Sequence, residues 1–279
     1  MSAADPTGAQ LLVVIDPVAR RVDGESTRIA RDVLCAGAVA KICLPSGAEE
    51  VARAVARRGR RRTVVIGDDR ALLRVVGLLH RRRELADTPL AWVPVGSLPA
   101  VTVARELGVP LGAVAAARAV LEGVERRLGL LADDSDGVVL HGLHVPSGAS
   151  HRAAAVPAGG GAPWWSPAAR TARTALTLLS GPSDRHPLPG CARLRVEADG
   201  VLLADLDRPV GRVAVSAVDG LAHVAIHPRT GTHPLRTHAR TVTVSGPDFR
   251  YRADNRVRGP VRTRTWTAVP EAWRLTLPG

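Results

Sequence analysis

Residues 63–76, TVVIGDDRALLRVV, carry the clearest candidate for chemistry in the chain. An apolar run breaks at Gly-Asp-Asp-Arg, residues 67–70, and resumes with the spacing of an amphipathic helix. A turn between a strand and a helix N-terminus binds phosphate in many proteins, because free N–H groups and the helix dipole favour an anion there. Acids at a helix start also serve as caps. Two interpretations therefore remain open: a phosphate loop, or a turn that now mainly stabilises its helix.

Histidines are the other candidates for chemistry. His223 and His227 would share a face of one strand, which is compatible with a metal site. Because no cysteine or clustered acid accompanies them, we predict no metal site. His141 and His144 would point to opposite faces if residues 138–145 form one strand. No Gly-x-Ser-x-Gly elbow and no Gly-x-x-x-x-Gly-Lys-Ser/Thr loop is present.

The bulk composition bounds the class of protein. The chain has 279 residues and a net charge of +12, almost all from arginine, since Lys41 is the only lysine. A basic surface attracts polyanions, but GC-rich codon usage explains the arginines equally well. Nucleic-acid binding rests on charge alone and is not favoured. No apolar run approaches a membrane span. The three cysteines, at 35, 43 and 191, are most simply reduced thiols in a cytoplasmic protein.

Two halves with different periodicity must position these residues. Within residues 10–130, short β-branched runs alternate with helical patterns, which predicts an α/β domain whose parallel sheet is covered by helices on both faces. Residues 131–267 read as short strands, with Asp-Gly hairpin turns at 199–200 and 219–220, and predict an antiparallel β-sandwich. Residues 146–167 predict a loop, and residues 168–179 a helix.

Four segments resemble the diacylglycerol kinase and sphingosine kinase-like lipid kinases. IDPVAR (15–20) is similar to the family's strand ending Asn-Pro-x-Ser-Gly, and GDDRALLRV (67–75) to its Gly-Gly-Asp-Gly-Thr motif. PVGSLPAVTVARELGVP (94–110) is similar to its Pro-x-Gly-Thr-x-Asn segment, and ADNRVRG (253–259) to its Asp-Gly-Glu. The resemblance implies a three-layer, NAD kinase-like first domain and a final segment, residues 268–279, that returns to it.

The resemblance carries over some site residues and not others. Position by position, it implies a nucleotide site that includes Asp16, Gly67, Asp68, Arg70, Gly96 and Ser97. It also implies Asp69 and Asp254 as catalytic residues. The chain departs from the family at Asp68 and Arg70 (for glycines), Ala71 (for threonine), Pro99 (for asparagine) and Arg256 (for the catalytic glutamate).

These departures weaken the chemistry that the resemblance implies. A carboxylate such as Asp68 about 4 Å from a phosphate charge costs about 1 kcal/mol in water and about 4 kcal/mol at an effective dielectric of 20. A side chain at a position that requires positive φ adds strain of about 1 kcal/mol. Arg256 cannot act as a general base near neutral pH.

The resemblance implies transfer of the ATP γ-phosphoryl group to a lipid hydroxyl, with Mg²⁺ as the metal that the family uses. We expect this activity to be weak or lost. The alternative is a pseudokinase that binds a ligand or partner without turnover.

Expected partners are a lipid substrate or an anionic membrane surface, which the arginines at 57–62 and 81–83 or Trp164 and Trp165 would contact. Solvated helix ends and internal packing are the alternatives. A homodimer is left open, and we expect a cytoplasmic protein that associates peripherally with membrane.

Overall fold

The computed structural model describes residues 10–145, 192–229 and 233–279. The loop predicted at 146–167 and the helix predicted at 168–179 lie outside the described residues. So do Trp164, Trp165 and Cys191.

The N-terminal half alternates strands and helices, as its sequence pattern predicts. Its elements are β1 (Gln10–Ile15), α1 (Pro17–Val22), α2 (Gly24–Gly37), β2 (Val39–Cys43), α3 (Ala48–Ala56), β3 (Arg62–Gly67), α4 (Asp69–Arg81), β4 (Pro89–Pro94), α5 (Thr102–Glu106) and α6 (Ala113–Glu122). A 3₁₀ turn, Leu98–Ala100, precedes α5. Four strands pair in parallel in the order β2-β1-β3-β4.

Helices cover both faces of this parallel sheet. In β1, Leu12 and Val14 pack into one apolar core with α3, α4 and α5. The alternate residues Leu11, Val13 and Ile15 pack into a second core with α2 and α6. Successive side chains of a strand point to opposite faces, so a strand that is apolar at every position must be covered twice.

The C-terminal half is antiparallel. Its strands are β5 (Val124–Asp133), β6 (Val138–Val139), β7 (Gly142–Val145), β8 (Arg195–Ala198), β9 (Val201–Ala204), β10 (Val210–Val218), β11 (Leu221–Pro228), β12 (Leu235–Ala239), β13 (Thr241–Ala253) and β14 (Arg256–Leu277). Both predicted hairpins are confirmed: the turns at 199–200 and 219–220 join β8 to β9 and β10 to β11, with positive φ at each turn residue. These strands enclose a third apolar core.

Two long strands run through both halves, so the antiparallel half is not a separate sheet. β14 pairs with β13, then with β5, and finally runs parallel to β4. In β5, Leu130 packs into a core of the α/β half, whereas its neighbour Leu131 packs into the antiparallel core. In β14, Trp266 packs into the antiparallel core and Trp273 packs into the core of the α/β half. The two halves are therefore joined by continuous hydrogen-bonded strands rather than by a linker.

We expect the end of β14 to be essential for the α/β half. Leu275 is fully buried and pairs with Leu90 of β4. Leu275→Ala should lower the free energy of unfolding by about 2–5 kcal/mol, because it removes buried methyl groups and leaves a cavity. Urea denaturation checks this against Leu202→Ala, whose leucine is exposed and which should change stability by less than about 0.5 kcal/mol. Equal effects of the two variants would contradict the expectation.

Candidate active site

A cleft of about 420 Å³ lies between the carboxyl ends of β3 and β4 and the turn that joins β13 to β14. In parallel α/β sheets, ligands bind beyond the carboxyl ends of the strands. The cleft is lined by Val18, Ala19, Val22, Asp68, Asp69, Arg70, Val95, Gly96, Ser97, Pro99, Ala100, Arg252 and Asn255. The fold thus brings five of the predicted site residues together: Asp68, Asp69, Arg70, Gly96 and Ser97. Ser97 makes no capping hydrogen bond with its side chain.

Gly67 and Asp16 lie behind the cleft wall and build it. A Cβ atom at Gly67 would lie 2.7 Å from the Cβ of Ala71 and 2.9 Å from that of Asp16, so only glycine fits there. The buried Asp16 side chain accepts a hydrogen bond from the Val18 N–H at 2.7 Å and pairs with Arg74 at 2.8 Å. Asp16 therefore caps α1 and holds it against α4.

Asp68 is the N-cap of α4. Its Oδ1 accepts a hydrogen bond from the Ala71 N–H at 3.0 Å, and its backbone is extended, with φ −77° and ψ −179°. The strain expected from a side chain at a positive-φ position is therefore wrong, because the backbone at Asp68 and Arg70 has negative φ. The positive φ falls on Gly96, at +157°, and a Cβ there would lie 3.4 Å from the Cβ of Asp68.

Asp69 is the buried carboxylate of the cleft, with 1% exposure. Both of its oxygens lie 3.2 Å from the backbone nitrogen of Val103, in the first turn of the neighbouring α5. Burial raises the pKa of Asp69 to about 6, although hydrogen bonds from the Val103 and Thr102 N–H groups oppose the shift. This carboxyl group therefore changes protonation state close to neutral pH.

The turn between β13 and β14 forms the opposite wall. The buried Asp254 carboxylate accepts hydrogen bonds from the three consecutive N–H groups of residues 140–142, at 2.6, 2.8 and 3.2 Å. Desolvation raises the pKa of Asp254, and these N–H groups oppose the shift. Asn255 follows with φ +66°, and its side-chain amide donates to the Pro99 carbonyl oxygen and to Asp69. Asp254 thus positions Asn255, whose contact with the cleft the sequence did not predict.

Four arginines lie close to one another beside the cleft, and one of them, Arg70, lines it. Arg256 lies near Arg258, Arg70 and Arg74, and burial together with these positive neighbours lowers the pKa of Arg256. Arg74 and Arg258 each pair with a buried carboxylate, at 2.8 and 3.3 Å. In the described part of the chain, Arg70 and Arg256 have no carboxylate within 4.0 Å. Their uncompensated charge offsets the repulsion that Asp68 exerts on an anion.

The cleft residues fit a nucleotide phosphate, and they offer a limited set of ligands for Mg²⁺. Guanidinium groups bind phosphate oxygens in bidentate fashion, so Arg70 and Arg256 supply positive charge where the family has glycine N–H groups or an acid. Asp68 and Asp69 are the carboxylates available for Mg²⁺, which usually binds one or two carboxylates together with substrate phosphates. Among the described residues, no group of three or more histidines, cysteines and acids is arranged to hold a metal ion.

The arginines at 57–62 and 81–83 lie away from the cleft. Arg58 pairs with Glu84 at 2.8 Å, which brings the C-terminal ends of α3 and α4 together. The cleft lies at the opposite end of α4, a helix of 13 residues, which separates the two by roughly 20 Å. The two arginine clusters flank the phosphate-type turn in sequence but not in space.

His141 and His144 were expected to point to opposite faces only if residues 138–145 formed one strand, and they do not form one. The run at 138–145 is interrupted: β6 ends at Val139 and β7 begins at Gly142. His141 therefore lies in the bend before the strand, and both histidines line a second cavity next to the cleft.

The fold combines an α/β half and an antiparallel half with a cleft between them. Solved structures from Bacillus anthracis str. Sterne share it. A diacylglycerol kinase is 11% identical with a TM-score of 0.66, and the match covers 98% of both chains. Two structures assigned as diacylglycerol kinases have TM-scores of 0.69 at 11% and 10% identity and cover 98–99% of this chain and 98% of theirs. The chain therefore has the diacylglycerol kinase fold.

Sequence comparison adds no closer relative: no family model matches the chain, and no curated protein matches it. The similarity to known proteins therefore rests on structures that are 10–11% identical to this chain. Among the described residues, no helix is both long and apolar enough to cross a membrane.

We predict that Asp69→Asn stabilises the protein at pH 7.5. The folded-state pKa of Asp69 lies above its ordinary value, so the folded state binds more protons than the unfolded state between about pH 4 and pH 6, and stability falls as the pH rises through that range. Asparagine keeps an acceptor for the Val103 N–H without the buried charge, so the gain should reach up to about 3 kcal/mol above pH 7.

Chemical denaturation at pH 4.5 and 7.5 measures this effect, and the gain should be larger at pH 7.5. Asp248→Asn, at an exposed carboxylate that pairs with Arg262, is the matched control and should change stability little. A loss of stability in Asp69→Asn at pH 7.5 would show that the charged carboxylate is held favourably.

Proposed function

We propose that the chain is a divergent lipid kinase of the diacylglycerol kinase type, which transfers the γ-phosphoryl group of ATP to a lipid hydroxyl at a low rate. The observation that carries this proposal is Asp69, a buried carboxylate with a pKa of about 6 on the wall of the cleft. A carboxylate held in a cleft at a cost to stability is typical of a functional site. A pKa near the working pH suits a general base.

In the proposed reaction, the lipid hydroxyl oxygen attacks the γ-phosphorus, and the bond from that phosphorus to the bridging oxygen breaks to release ADP. The hydroxyl proton passes to Asp69. Asp69 accepts hydrogen bonds from the Val103 and Thr102 N–H groups and from the Asn255 amide, and a carboxylate has about four acceptor positions. Asp69 therefore retains one acceptor position for this proton.

The nucleotide phosphates would lie against Gly96, Ser97 and the guanidinium groups of Arg70 and Arg256. Gly67 and Asp16 would act only by holding the turn in place. Asp68 would hold Mg²⁺ together with the phosphates, while Asp69 would stay free to accept the proton, and the ion would supply positive charge to the phosphoryl oxygens. Asp254 would position Asn255, whose amide holds Asp69, rather than exchange a proton itself.

The low rate follows from Arg256. The family's acid at this position is replaced by a cation, and loss of that base typically removes about 10² to 10⁴ in rate, of which Asp69 would restore only a part. The uncompensated charge of Arg70 and Arg256 favours phosphate binding in both the ground state and the transition state. Uniform binding of this kind lowers KM without raising kcat.

Transfer of labelled phosphate from ATP to short-chain lipid acceptors tests the proposal. We expect slow wild-type turnover whose kcat/KM rises with pH up to about pH 6 and then levels off, because Asp69 must be ionised to accept a proton. Asp69→Asn should lose at least about 10²-fold in kcat and yet keep the increase in melting temperature that ATP and Mg²⁺ produce. Undiminished activity in Asp69→Asn, or no activity on any acceptor, would refute the proposal.

A pseudokinase is the second candidate, and the environment of Asp254 favours it. All three hydrogen bonds to the Asp254 carboxylate come from backbone N–H groups, and Arg256 follows two residues later. If the chain binds a ligand without turnover, activity should appear only after glycine is restored at 68 and 70 and glutamate at 256. Glycine at an N-cap costs only a few tenths of a kcal/mol, so the variant Asp68→Gly, Arg70→Gly, Arg256→Glu should fold. Wild-type turnover equal to that of this variant would refute the pseudokinase.

Membrane association belongs to the proposal as well. The exposed arginines at the C-terminal ends of α3 and α4 are available to an anionic surface, at about 1 kcal/mol for each residue near the membrane. A membrane bound there would lie at the end of α4 opposite the cleft. A lipid acceptor would then have to reach the cleft by another route, so we assign these arginines to peripheral attachment rather than to substrate binding.

A further inference from the structure

A second cavity of about 490 Å³ lies beside the cleft, on one face of the antiparallel sheet. Its lining combines apolar residues with arginines and histidines. The basic and imidazole side chains are those of Arg212, Arg236, Arg252, His141, His144, His223 and His238. Thr102 and Val103 close the cavity from the side of the α/β half. Their N–H groups are the ones that bond to Asp69.

Strand register explains how residues far apart in sequence share this cavity. Residues directly opposite each other in neighbouring strands point to the same face of a sheet. One row crosses five strands, from β12 to β13, and consists of Arg236, Ala225, Ala214, His144 and Arg252. Large basic side chains stand at its ends and alanines at its centre, so the row forms a depression with a flat floor.

A second row lies beside the first. It consists of His238, His223, Ser216 and Gly142. The rings of His223 and His238 meet edge to face, with their centroids 4.0 Å apart. Alternate residues of the same strands, such as Val215 and Val224, point the other way into the antiparallel core. The polar face is therefore the side of the sheet that the core does not use.

The cavity carries positive charge without a compensating acid. In the described parts of the chain, no carboxylate lies within 4.0 Å of the guanidinium groups of Arg212, Arg236 or Arg252. Asp254 is the only acidic residue in the described lining, and its oxygens are occupied by backbone N–H groups. Burial and the charges of Arg212 and Arg252 lower the pKa of His144 to about 4. His144 is therefore neutral at pH 7, and the arginines provide the charge.

The second cavity shares a wall with the cleft. Arg252 and Asn255 line both spaces. The N–H of Val103 bonds to Asp69, and the residue itself lines the second cavity. A molecule that lies on the basic floor is therefore next to the wall that carries Asn255 and the Val103 contact with Asp69.

We infer that this cavity binds the phosphate group of the phosphoryl acceptor, so that the acceptor is an alcohol that already carries a phosphate ester. The inference rests on the proposed function for the direction of transfer but not for the binding itself. Guanidinium groups are the preferred protein ligands of phosphate oxygens. A neutral diacylglycerol would leave three arginines on the floor without a partner. The shared chemistry is a phosphate ester, whether it belongs to a phospholipid headgroup or to a soluble molecule.

Binding of three probes to the full chain tests the inference by calorimetry and by melting temperature. The probes are dihexanoylphosphatidylglycerol and glycerol 3-phosphate, which carry phosphate and hydroxyl groups, and dihexanoylglycerol, which is neutral. We expect a phosphate-bearing probe to bind at least tenfold more tightly than dihexanoylglycerol. Binding of the lipid alone assigns the site to a phospholipid headgroup, and binding of both phosphate-bearing probes shows that the phosphate ester suffices.

Variants at the end of the floor that is distant from the cleft distinguish binding in this cavity from binding in the cleft. The double variant Arg212→Gln, Arg236→Gln should lower the affinity for the phosphate-bearing probe at least tenfold. It should leave the ATP-induced increase in melting temperature unchanged, which also shows that the variant is folded. His238→Glu, which places a negative charge on the floor, should lower the affinity for the probe similarly. Arg262→Gln, at an exposed arginine outside the cavity, is the matched control and should bind as the wild type does.

Three results would overturn the inference: no binding of either phosphate-bearing probe, equal binding of dihexanoylglycerol, or unchanged binding in both floor variants. Failure of the proposed function has a different outcome. Phosphate-bearing probes would then bind, and the floor variants would bind them less tightly, but no acceptor would be phosphorylated. That result would support the phosphate site and refute the kinase proposal.

Discussion

The hydrogen bonds between Asp254 and the three N–H groups of residues 140–142 hold the functional region together. They connect the turn between β13 and β14 to the start of β7, and they lie where the cleft and the basic cavity meet. A buried carboxylate is costly unless hydrogen-bond donors compensate it. Three donors at this one carboxylate fix the turn, and the fixed turn directs Asn255 to Pro99 and Asp69. Both cavities therefore share a wall whose position one side chain determines.

The acidic turn after β3 is fixed by its own side chains. Asp68 adopts an extended N-cap conformation and bonds to the Ala71 N–H, so part of the anion-binding capacity of the α4 N-terminus is used internally. Arg70 and Arg256 bring positive charge to the same cleft from α4 and β14. Gly67 lies against Ala71 and Asp16, where a side chain would not fit. Close packing at Gly67 and the Asp68 cap thus fix the turn, and arginine side chains supply its positive charge.

The distribution of arginine bears on the excess of positive charge in the sequence. Several arginines form exposed pairs on helix surfaces, such as Arg28 with Glu25 and Arg195 with Glu197, and these contribute little to stability. The arginines of the cleft and of the basic cavity differ, because their neighbours are other cations and half-buried imidazoles. Codon usage explains an abundance of arginine, but it gives no reason for cations to converge on two adjoining cavities.

The local elements could be predicted from the sequence: the strand and helix order of residues 10–130, the Asp-Gly hairpins, and the strand, turn and helix around Asp69. These features depend on periodicity and turn chemistry over a few residues, which a single sequence displays. The three-dimensional fold was needed to show that Asn255 contacts Asp69, that Asp68 is unstrained, and that Arg236, His144 and Arg252 share one cavity. Those relations depend on strand register and on the packing of the two halves, and registers between strands distant in sequence follow from pairings that no local pattern encodes.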